Sequence, residues 1–378
     1  MANWWRVIYS GAVKHVIPIP LPGRAYDLVI GNDLLVPGGC DELEAAVAGR
    51  QCLIVTDDNV VQAYGAETTA LLTAAGASSV ATTMFAAGEE AKNLDTLEYL
   101  YGEAVSAGLD RKSVIVALGG GVVGDTAGYL AASYMRGIDF IQIPTSLVAQ
   151  VDSSIGGKTG VDLPQGKNLV GAFHQPRLVI LDVDTLATLD PRQLRCGLAE
   201  VIKYGVILDA EFFVFLEANI DALLATDPDV YGHVVQRSCE LKAMIVLEDE
   251  FETGRRAILN YGHTFGHAIE KVTGYTVYTH GEAIAIGMGM AADLAVALDS
   301  TAARLELVQR QDALFDAVGL PNRIDGVDPE QVVAAMQTDK KYVGGRNKLI
   351  VPSAIGTVEI LNDVAEVAIR ASIIGRTE

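Results

Sequence analysis

Short apolar runs rich in β-branched residues alternate with amphipathic segments along the first half of the chain. Segments such as Val60–Ala75 and Asp95–Leu109 have the length and the spacing of apolar positions that are typical of helices. This alternation predicts βαβ units around a parallel sheet, because parallel strands need crossover connections. The predicted strands are Tyr26–Ile30, Cys52–Thr56, Ser79–Phe85, Ser113–Leu118, Asp139–Ile143 and Leu178–Leu181.

From about Leu189 onwards the apolar positions recur with the period of a helix, and only Lys348–Val351 and Thr357–Ile360 are predicted to be extended. The length of 378 residues fits two domains of ordinary size. We therefore predict an α/β domain over residues 1–188 and a mostly helical domain over residues 189–378. The predicted helices of the second domain are Pro191–Ile207, Ala210–Leu224, Val230–Leu247, Arg256–Val272, Glu282–Leu298 and Thr301–Val318.

Composition and charge exclude several classes of protein. Half of the residues are hydrophobic and 20% are charged, which excludes a disordered or low-complexity chain. The formal net charge of −20 opposes binding to nucleic acid or to anionic membranes. The four cysteines lie far apart, which disfavours a zinc ribbon or a disulfide framework. Because Asp293 interrupts the apolar stretch Ala283–Leu298 and no export signal precedes Pro20, we predict a cytoplasmic protein without a membrane span.

A glycine-rich motif follows one of the predicted strands. The run Val114–Leu118 leads into Gly119-Gly120-Gly121-Val122-Val123-Gly124, a match to the G-x-G-x-x-G pattern between a strand and a helix. There, glycine lets backbone N–H groups approach the pyrophosphate of a dinucleotide. The acidic ribose-binding residue expected about 20 residues later has no clean candidate, since Asp139 opens a strand. Asp57 is an alternative, and a plain tight turn also accounts for the motif.

A second glycine-rich segment, Gly156–Thr159, is similar to the end of a phosphate-binding P-loop. Asp152 stands where that motif requires its first glycine, so the segment is not predicted to be a Walker motif. We predict instead a loop between Val151 and Phe173 whose lysines bind an anion, with a solvated turn as the alternative. The polar residues of this loop are Asp152, Lys158, Lys167 and Asn168.

The predicted helix Arg256–Val272 has one polar and one apolar side. At about 100° per residue, a wedge of roughly 60° contains the polar residues Arg256, Asn260, His263 and His267. Solvated faces usually carry Glu and Lys, so this set favours a site for a metal or an anion over a plain surface. Gly262 and Gly266 each lower helix propensity by about 1 kcal/mol, a cost that close approach of a ligand or of backbone explains.

Three histidines and a glutamate are candidate metal ligands. His263 and His267 are four residues apart, as in the H-E-x-x-H zinc proteases, but threonine stands where those proteases have their glutamate. A protease is therefore disfavoured. His280 lies at the start of the next predicted helix, and Glu200 shares a helix face with Lys203. Two histidines and one carboxylate with open coordination positions are typical of a catalytic zinc site.

Several segments, in the same order along the chain, closely match those of one known family. They are Gly119–Asp125, Tyr134–Gly137, Pro144–Leu147, Asp152–Gly160, Gly166–Asn168, Glu200–Gly205, Leu259–His267 and His280–Glu282. Through them the chain resembles 3-dehydroquinate synthase, a sugar phosphate cyclase family. The likeness extends from about residue 50 to 360 and is densest between residues 119 and 282.

The resemblance implies a Rossmann-like NAD-binding α/β domain and a helical metal-binding domain, with the active site in the cleft between them. It implies that 3-deoxy-D-arabino-heptulosonate 7-phosphate is converted to 3-dehydroquinate and phosphate, in the shikimate route to aromatic amino acids. The implied cofactors are NAD+, which is recycled because hydride leaves the substrate and returns to it, and one divalent ion, Zn²⁺ or Co²⁺. The implied assembly is a homodimer in which Arg136 reaches the active site of the neighbouring subunit.

Carried over residue by residue, the resemblance makes Glu200, His263 and His280 the metal ligands and His267 a substrate-side group. A phosphate and a carboxylate on the substrate require a dense set of fixed cations. The residues implied to hold the substrate are Asp152, Lys158, Asn168, Lys203, Lys242, Arg256, Asn260 and one of Lys340 or Lys341. The implied NAD contacts are Asp57, Glu89, Lys92, Gly121, Val122, Val123, Asp125, Thr145, Ser146, Lys158, Lys167 and Thr188.

Two other activities stay open at this point. Another sugar phosphate cyclase would act on sedoheptulose 7-phosphate or glucose 6-phosphate, but Lys242, Arg256 and Asn260 favour a substrate that carries a carboxylate. A polyol dehydrogenase resembling the iron-containing alcohol dehydrogenases would share the two-domain plan and would accumulate NADH. A binding module without catalysis is disfavoured, because every matched polar position is intact.

Overall fold

A computed structural model of the chain describes residues 14–337 and 347–377, whose contacts group them into two units. The first unit extends to Leu189 and also contains Pro228–Phe251, and the second contains the remaining described residues. The sequence predicted a single boundary between residues 188 and 189. The observed division differs from it because the helix within Pro228–Phe251 packs with the α/β unit. Cys239 of this helix donates to the Gln150 carbonyl at 3.4 Å. Periodicity predicts that a segment is helical, but not which unit it packs against.

The first unit is built on a mainly parallel sheet. The strands of the described chain are β1 (His15–Ile19), β2 (Tyr26–Gly31), β3 (Gln51–Asp57), β4 (Ser79–Phe85), β5 (Val114–Gly119), β6 (Asp139–Pro144), β7 (Lys158–Leu163), β8 (Gly166–Phe173), β9 (Leu178–Asp182), β10 (Lys348–Ala354) and β11 (Thr357–Asn362). Seven of these described strands form the sheet, in the order β1-β2-β9-β6-β5-β3-β4. Strand β1 is antiparallel to β2, and the other neighbours are parallel. All six predicted strands lie in this sheet.

Helices cover both faces of the sheet and make up most of the second unit. They are α1 (Glu42–Val47), α2 (Val60–Ala74), α3 (Leu94–Ser106), α4 (Gly121–Ser133), α5 (Pro191–Leu208), α6 (Ala210–Ala218), α7 (Ile220–Leu224), α8 (Pro228–Glu248), α9 (His263–Val272), α10 (His280–Leu298), α11 (Ala302–Val318), α12 (Pro329–Gln337) and α13 (Glu366–Ile374). The predicted fold class, an α/β unit followed by a mostly helical region, is confirmed. The predicted helix Ala210–Leu224 is two helices, α6 and α7, with a break at Asn219.

The central strands are buried on both faces. Along β3, Cys52 and Ile54 contribute to one apolar cluster, and Leu53 and Val55 contribute to the other. Because a strand covered on both sides has apolar residues at every position, it is visible in the sequence as a continuous apolar run. Strand β4 lies on one side of β3 and β5 lies on the other, so the strand order reverses between β3 and β5. In open α/β sheets, ligands bind outside the carboxyl ends of the strands at this position.

Three strands of the first unit, β1, β7 and β8, were not predicted from the sequence. Strand β1 contains Pro18, which is tolerated because β1 is an edge strand. The segment predicted to be an anion-binding loop between Val151 and Phe173 is instead largely a hairpin of β7 and β8. Gly160 pairs with Gly171 in this hairpin, and a Cβ on Gly171 would overlap the backbone of β7. Glycine at these close approaches removes the apolar alternation from which a strand is predicted.

Helix α10 is the central helix of the second unit. It is long and apolar enough to cross a membrane by length and composition, but 72% of its most apolar window is buried. It contacts α5, α9, α11 and α13. Its apolar surface is therefore used in the core of the second unit.

Asp182, at the end of β9, makes the stability of the protein depend on pH. Burial raises the pKa of Asp182 to about 6 from 3.8, although the N–H groups of Leu35 and Asp184 donate to its carboxylate. The unfolded chain loses this proton at lower pH than the folded chain, so the contribution of Asp182 to stability falls as pH rises from about 4 to about 6. Urea unfolding should show that Asp182→Asn removes this loss, on the order of 2–3 kcal/mol between about pH 4 and about pH 7. Parallel pH profiles of parent and variant would contradict the assignment.

Candidate active site

The glycine motif lies where the sequence predicts it, between β5 and α4. A Cβ on Gly119 would lie 2.7 Å from Val123 Cγ2, and one on Gly124 would lie 2.7 Å from Gln142 Oε1. Glycine is therefore required for the close packing of α4 on the sheet. The first turn of α4 contains Gly121, Val122 and Val123. Because the first N–H groups of a helix have no partners within it, this turn at the carboxyl edge of the sheet is suited to bind an anion.

A cluster of charged residues lies beside this motif. Lys92 Nζ lies 2.6 Å from Asp125 Oδ2 and donates to Asn168 Oδ1 at 2.7 Å. Burial lowers the pKa of Lys92, but the carboxylates of Asp125 and Glu89 outweigh this effect and raise it above the ordinary value. Lys92 is therefore a buried ammonium that holds the cluster together. Lys167 lies 3.5 Å from Glu89, so five of the residues implied to hold NAD+ or substrate share one charged cluster.

Other implied NAD contacts lie after neighbouring strands of the same sheet. Asp57 ends β3, and its Oδ1 accepts from the N–H of Val60 at 2.9 Å, at the start of α2. Thr145 and Ser146 follow β6. Thr188 follows β9, and its hydroxyl lies 2.6 Å from the hydroxyl of Tyr64. Because the carboxyl ends of parallel strands meet at one edge, these residues belong to one edge of the sheet.

Two residues of the first unit that the resemblance implies as substrate contacts form an ion pair, which links α8 to the segment before β7. Lys242 Nζ lies 2.6 Å from Asp152 Oδ1, and it also donates to the Asp152 carbonyl at 2.6 Å. Lys158 begins β7 and is exposed. Arg136 is exposed and has a φ of 71°, next to Gly137. Lys340 and Lys341 lie outside the described residues.

Three residues of the second unit converge on one point. Glu200 Oε1 lies 3.5 Å from His263 Nε2 and 3.6 Å from His280 Nε2. One ligand atom from each of the three residues lies within 4.8 Å of the other two. Ligand atoms around a tetrahedral zinc, each 2.0–2.2 Å from the ion, are roughly 3.3–3.6 Å apart. The observed separations therefore fit a divalent ion held by one carboxylate and two imidazoles.

The helix that carries His263 begins later than predicted. Arg255–Asn260 is a 3-10 turn, and Gly262 has a φ of 77°, so α9 begins only at His263. The predicted helix Arg256–Val272 is therefore wrong, and its four polar residues do not share one helix face. The break itself is fixed in the core, because Tyr261 is buried and donates to Gln311 Oε1 at 2.8 Å.

Close packing of α9 on α10 brings the histidines together. A Cβ on Gly262 would lie 2.8 Å from Met288 N, and one on Gly266 would lie 2.6 Å from Ile284 Cδ1. Approach of backbone, one of the two explanations offered for these glycines, is thus observed. The rings of His263 and His280 have centroids 5.5 Å apart as a result.

The electrostatics of this pocket suit a cation. Lys203 donates to Glu200 Oε2, and both side chains are fully buried. Burial lowers the pKa of His263 well below its ordinary value, which favours the neutral imidazole that a metal needs. Burial also lowers the pKa of His280, but the carboxylates of Glu270 and Glu200 raise it well above its ordinary value. The same two carboxylates, which lie next to the imidazole of His280, would attract a metal cation.

The remaining predicted residues of the second unit lie around this triad. The ring of His267 is centred 5.5 Å from that of His263. Arg256 is buried, and Asn260 Nδ2 donates to Glu252 Oε1 at 2.6 Å. Sequence reasoning missed Glu270, which forms a second candidate metal cluster with His267 and His280. The spacing could have identified Glu270 from the sequence, because it follows His267 by three residues and so lies on the same side of the helix.

Comparison with known proteins gives consistent results over nearly the whole chain. Residues 82–196 match the family model for the N-terminal part of 3-dehydroquinate synthase, and residues 197–342 match that for the C-terminal part. The 3-dehydroquinate synthase of Pelotomaculum thermopropionicum is 49% identical over 355 residues, or 93% of this chain and 94% of the relative.

Two solved structures are also similar. One is ValA, a 2-epi-5-epi-valiolone synthase from Streptomyces hygroscopicus with NAD+ and Zn²⁺ bound. It has a TM-score of 0.84 and 29% sequence identity, and the match covers 93% of this chain and 96% of ValA. The second is a 2-deoxy-scyllo-inosose synthase complexed with carbaglucose-6-phosphate, NAD+ and Co²⁺. It has a TM-score of 0.85 and 28% sequence identity, and the match covers 96% of this chain and 99% of the synthase. From its two matching domain models and its high identity to a full-length relative, the chain belongs to the 3-dehydroquinate synthase family.

Proposed function

We propose that the chain converts 3-deoxy-D-arabino-heptulosonate 7-phosphate to 3-dehydroquinate and phosphate, with NAD+ and one divalent ion, Zn²⁺ or Co²⁺. The observation that carries this proposal is the convergence of Glu200 Oε1 with the Nε2 atoms of His263 and His280. It is supported by the match to both family models, by the 49% identity to a 3-dehydroquinate synthase, and by the NAD+ and metal ions in the two similar solved structures.

The residues present fit both groups. Glu200, His263 and His280 would hold the ion, and the first turn of α4 with the Lys92 cluster would hold the pyrophosphate and ribose of NAD+. When bound, the ion acidifies and orients substrate hydroxyls, and NAD+ accepts a hydride that is later returned to the same molecule. These two kinds of chemistry suit a reaction that starts with the oxidation of a hydroxyl and ends without net oxidation.

The protein side chains supply charge, orientation and proton transfer. Lys203 and Arg256 are buried cations of the second unit, and Lys242 is a buried cation of the first. In a low-dielectric pocket such groups bind phosphate and carboxylate more strongly than they would in water. Asp152 holds Lys242 by its carboxylate and its carbonyl, so the ammonium is oriented before substrate binds. His267, beside His263 but outside that ligand triad, is suited to transfer a proton to or from the substrate.

Three residues support a substrate that carries a carboxylate. Lys242 and Arg256 offer positive charge and Asn260 offers an amide, which are groups that bind a carboxylate. We propose a substrate with both a phosphate and a carboxylate; sedoheptulose 7-phosphate and glucose 6-phosphate lack the carboxylate. We further propose a cytoplasmic homodimer, in which the exposed Arg136 contributes to the neighbouring subunit's site.

Release of inorganic phosphate from each of the three sugar phosphates tests this function. The purified protein should release phosphate from the heptulosonate and should not release it from the other two. Activity should stop on treatment with a chelator, return with Zn²⁺ or Co²⁺, require NAD+, and proceed without accumulation of NADH. Preferential release from sedoheptulose 7-phosphate or glucose 6-phosphate would instead assign another cyclase activity, and net NADH formation would indicate a polyol dehydrogenase.

A further inference from the structure

Both imidazole nitrogens of His280 face a carboxylate. Nε2 lies 3.6 Å from Glu200 Oε1, on the side of the ion site, and Nδ1 lies 3.5 Å from Glu270 Oε1 on the opposite side of the ring. A neutral imidazole has one N–H donor and one lone pair. If Nε2 is to offer its lone pair to an ion, the proton must lie on Nδ1, where Glu270 can accept it.

His263 has the same arrangement with a different acceptor. Its Nε2 lies 3.5 Å from Glu200 Oε1, while its Nδ1 lies 3.0 Å from the carbonyl oxygen of Tyr261. The break in the helix at Tyr261 and Gly262 directs this carbonyl to the ring. Each of the two histidines therefore has an acceptor at Nδ1 and the ion site at Nε2, as is typical of metal-binding histidines.

The carboxylate of Glu270 is buried, and an ionised carboxylate in such a place destabilises the fold unless it has partners. Glu270 is 3% exposed, on the last turns of α9. Burial of an ionised carboxylate is unfavourable unless hydrogen bonds and positive charge compensate for it. The nearby imidazoles of His267 and His280 provide donors, and a divalent ion on the far side of His280 would add charge.

Glu270 could alternatively bind an ion itself, together with His267 and His280. Their ligand atoms lie within 4.8 Å of one another. However, Nδ1 of His280 is the atom that faces Glu270, and Nε2 faces Glu200. One imidazole can bind ions through both nitrogens only after losing both ring protons, which neutral pH strongly disfavours. The geometry thus favours a single ion, with Glu270 as an acceptor.

We propose that Glu270 is a positioning residue for the metal site: its carboxylate holds the Nδ1 proton of His280 and so presents Nε2 to the ion. This inference rests on the ion site of the proposed function. It adds to the three ligands a fourth residue that never contacts the ion. The effect should be felt in ion affinity, because the tautomer and the orientation of His280 are set before the ion binds.

Cobalt affinity of the full-length protein, measured by competition with a chelating dye, tests the role of Glu270. Glu270→Gln keeps the size and removes the charge, and Glu270→Ala removes the acceptor. We expect Co²⁺ binding about 10- to 100-fold weaker in both variants, with the larger loss in the alanine variant. The absorption spectrum of bound Co²⁺ should keep the intensity of the parent, because the three ligands are unchanged.

Glu217→Gln is the matched control, since Glu217 lies 2.6 Å from Arg310 in the same unit. It should leave Co²⁺ affinity unchanged, and thermal unfolding should show that all metal-free variants are folded. If Glu270→Ala fails to fold, Glu270→Gln decides the question. If the folded Glu270 variants bind Co²⁺ as tightly as the parent, the role of Glu270 is wrong but the ion site of the proposed function stands. The same holds if the parent binds two Co²⁺ ions and the variants lose only one of them. A parent that binds no Co²⁺ would instead overturn the ion site of the proposed function.

Discussion

His263→Ala should abolish retention of the divalent ion, whereas His267→Ala should retain the ion and lose turnover. His263 Nε2 lies 3.5 Å from Glu200 Oε1, and its removal leaves two protein ligands in a buried pocket. We expect ion affinity to fall by more than about 100-fold, beyond the effect of losing an outer hydrogen bond. His267 lies beside His263 but is not in its ligand triad, so its loss should lower kcat by on the order of 10²- to 10⁴-fold through proton transfer.

Metal analysis after dialysis against a chelator, combined with phosphate release, measures both effects. His15→Ala on the edge strand β1 is a suitable control, because it removes a histidine of the first unit. It should change neither ion content nor turnover. Equal loss of the ion in the His263 and His267 variants would mean that the ligand set is wrong. That outcome would favour the second cluster, of His267, Glu270 and His280.

Gly281→Ala should separate α5 from α10, the two helices that carry the proposed metal ligands Glu200 and His280. A Cβ on Gly281 would overlap the backbone carbonyl group of Cys196, and the Gly281 N–H donates to Cys196 Sγ at 3.1 Å. Glu200 follows Cys196 by one turn of α5, and His280 directly precedes Gly281. A shift of even about 1 Å exceeds the tolerance of a metal site. We expect ion affinity more than about 100-fold weaker and a free energy of unfolding lower by about 1–3 kcal/mol.

Gly102→Ala on α3 makes the same chemical change where nothing lies within 4 Å of the new methyl group. It should leave ion affinity unchanged and stabilise the protein by up to about 1 kcal/mol, because alanine favours the helix. Chelator competition and thermal unfolding compare the two variants directly. Parent-like ion affinity in Gly281→Ala would show that contact between α5 and α10 does not set the ligand geometry.

The parallel sheet was accessible from the sequence because its strands are buried on both faces. The run Val114–Leu118 is apolar at every position, and it leads into glycines that are typical of a strand-to-helix turn. The β7–β8 hairpin was not accessible, because Gly160 and Gly171 replace the side chains that would have alternated. Local periodicity likewise placed α8 in the second half of the chain, whereas its contacts are with the first unit.

At the candidate metal site, too, the sequence identified residues and the tertiary structure set their geometry. Residue types and motifs identified Glu200, His263 and His280 as ligands by resemblance, while helical spacing alone left His267 as an equal candidate. The break at Gly262 changed the geometry that spacing had predicted, since helical periodicity does not continue through a residue with a φ of 77°. Glu270 was overlooked because a single glutamate on a helix is usually a surface residue.

The sequence by itself determined the class of fold, the family, and the kinds of side chain available for binding an ion, a dinucleotide and an anionic substrate. These properties depend on local periodicity, composition and short motifs, which are written along the chain. Only the tertiary structure decided which atoms meet: which nitrogen of each histidine faces Glu200, which acceptor holds the other, and which glycines allow the helices to approach. Distances between residues far apart in sequence are set by side-chain packing, and no local pattern encodes them.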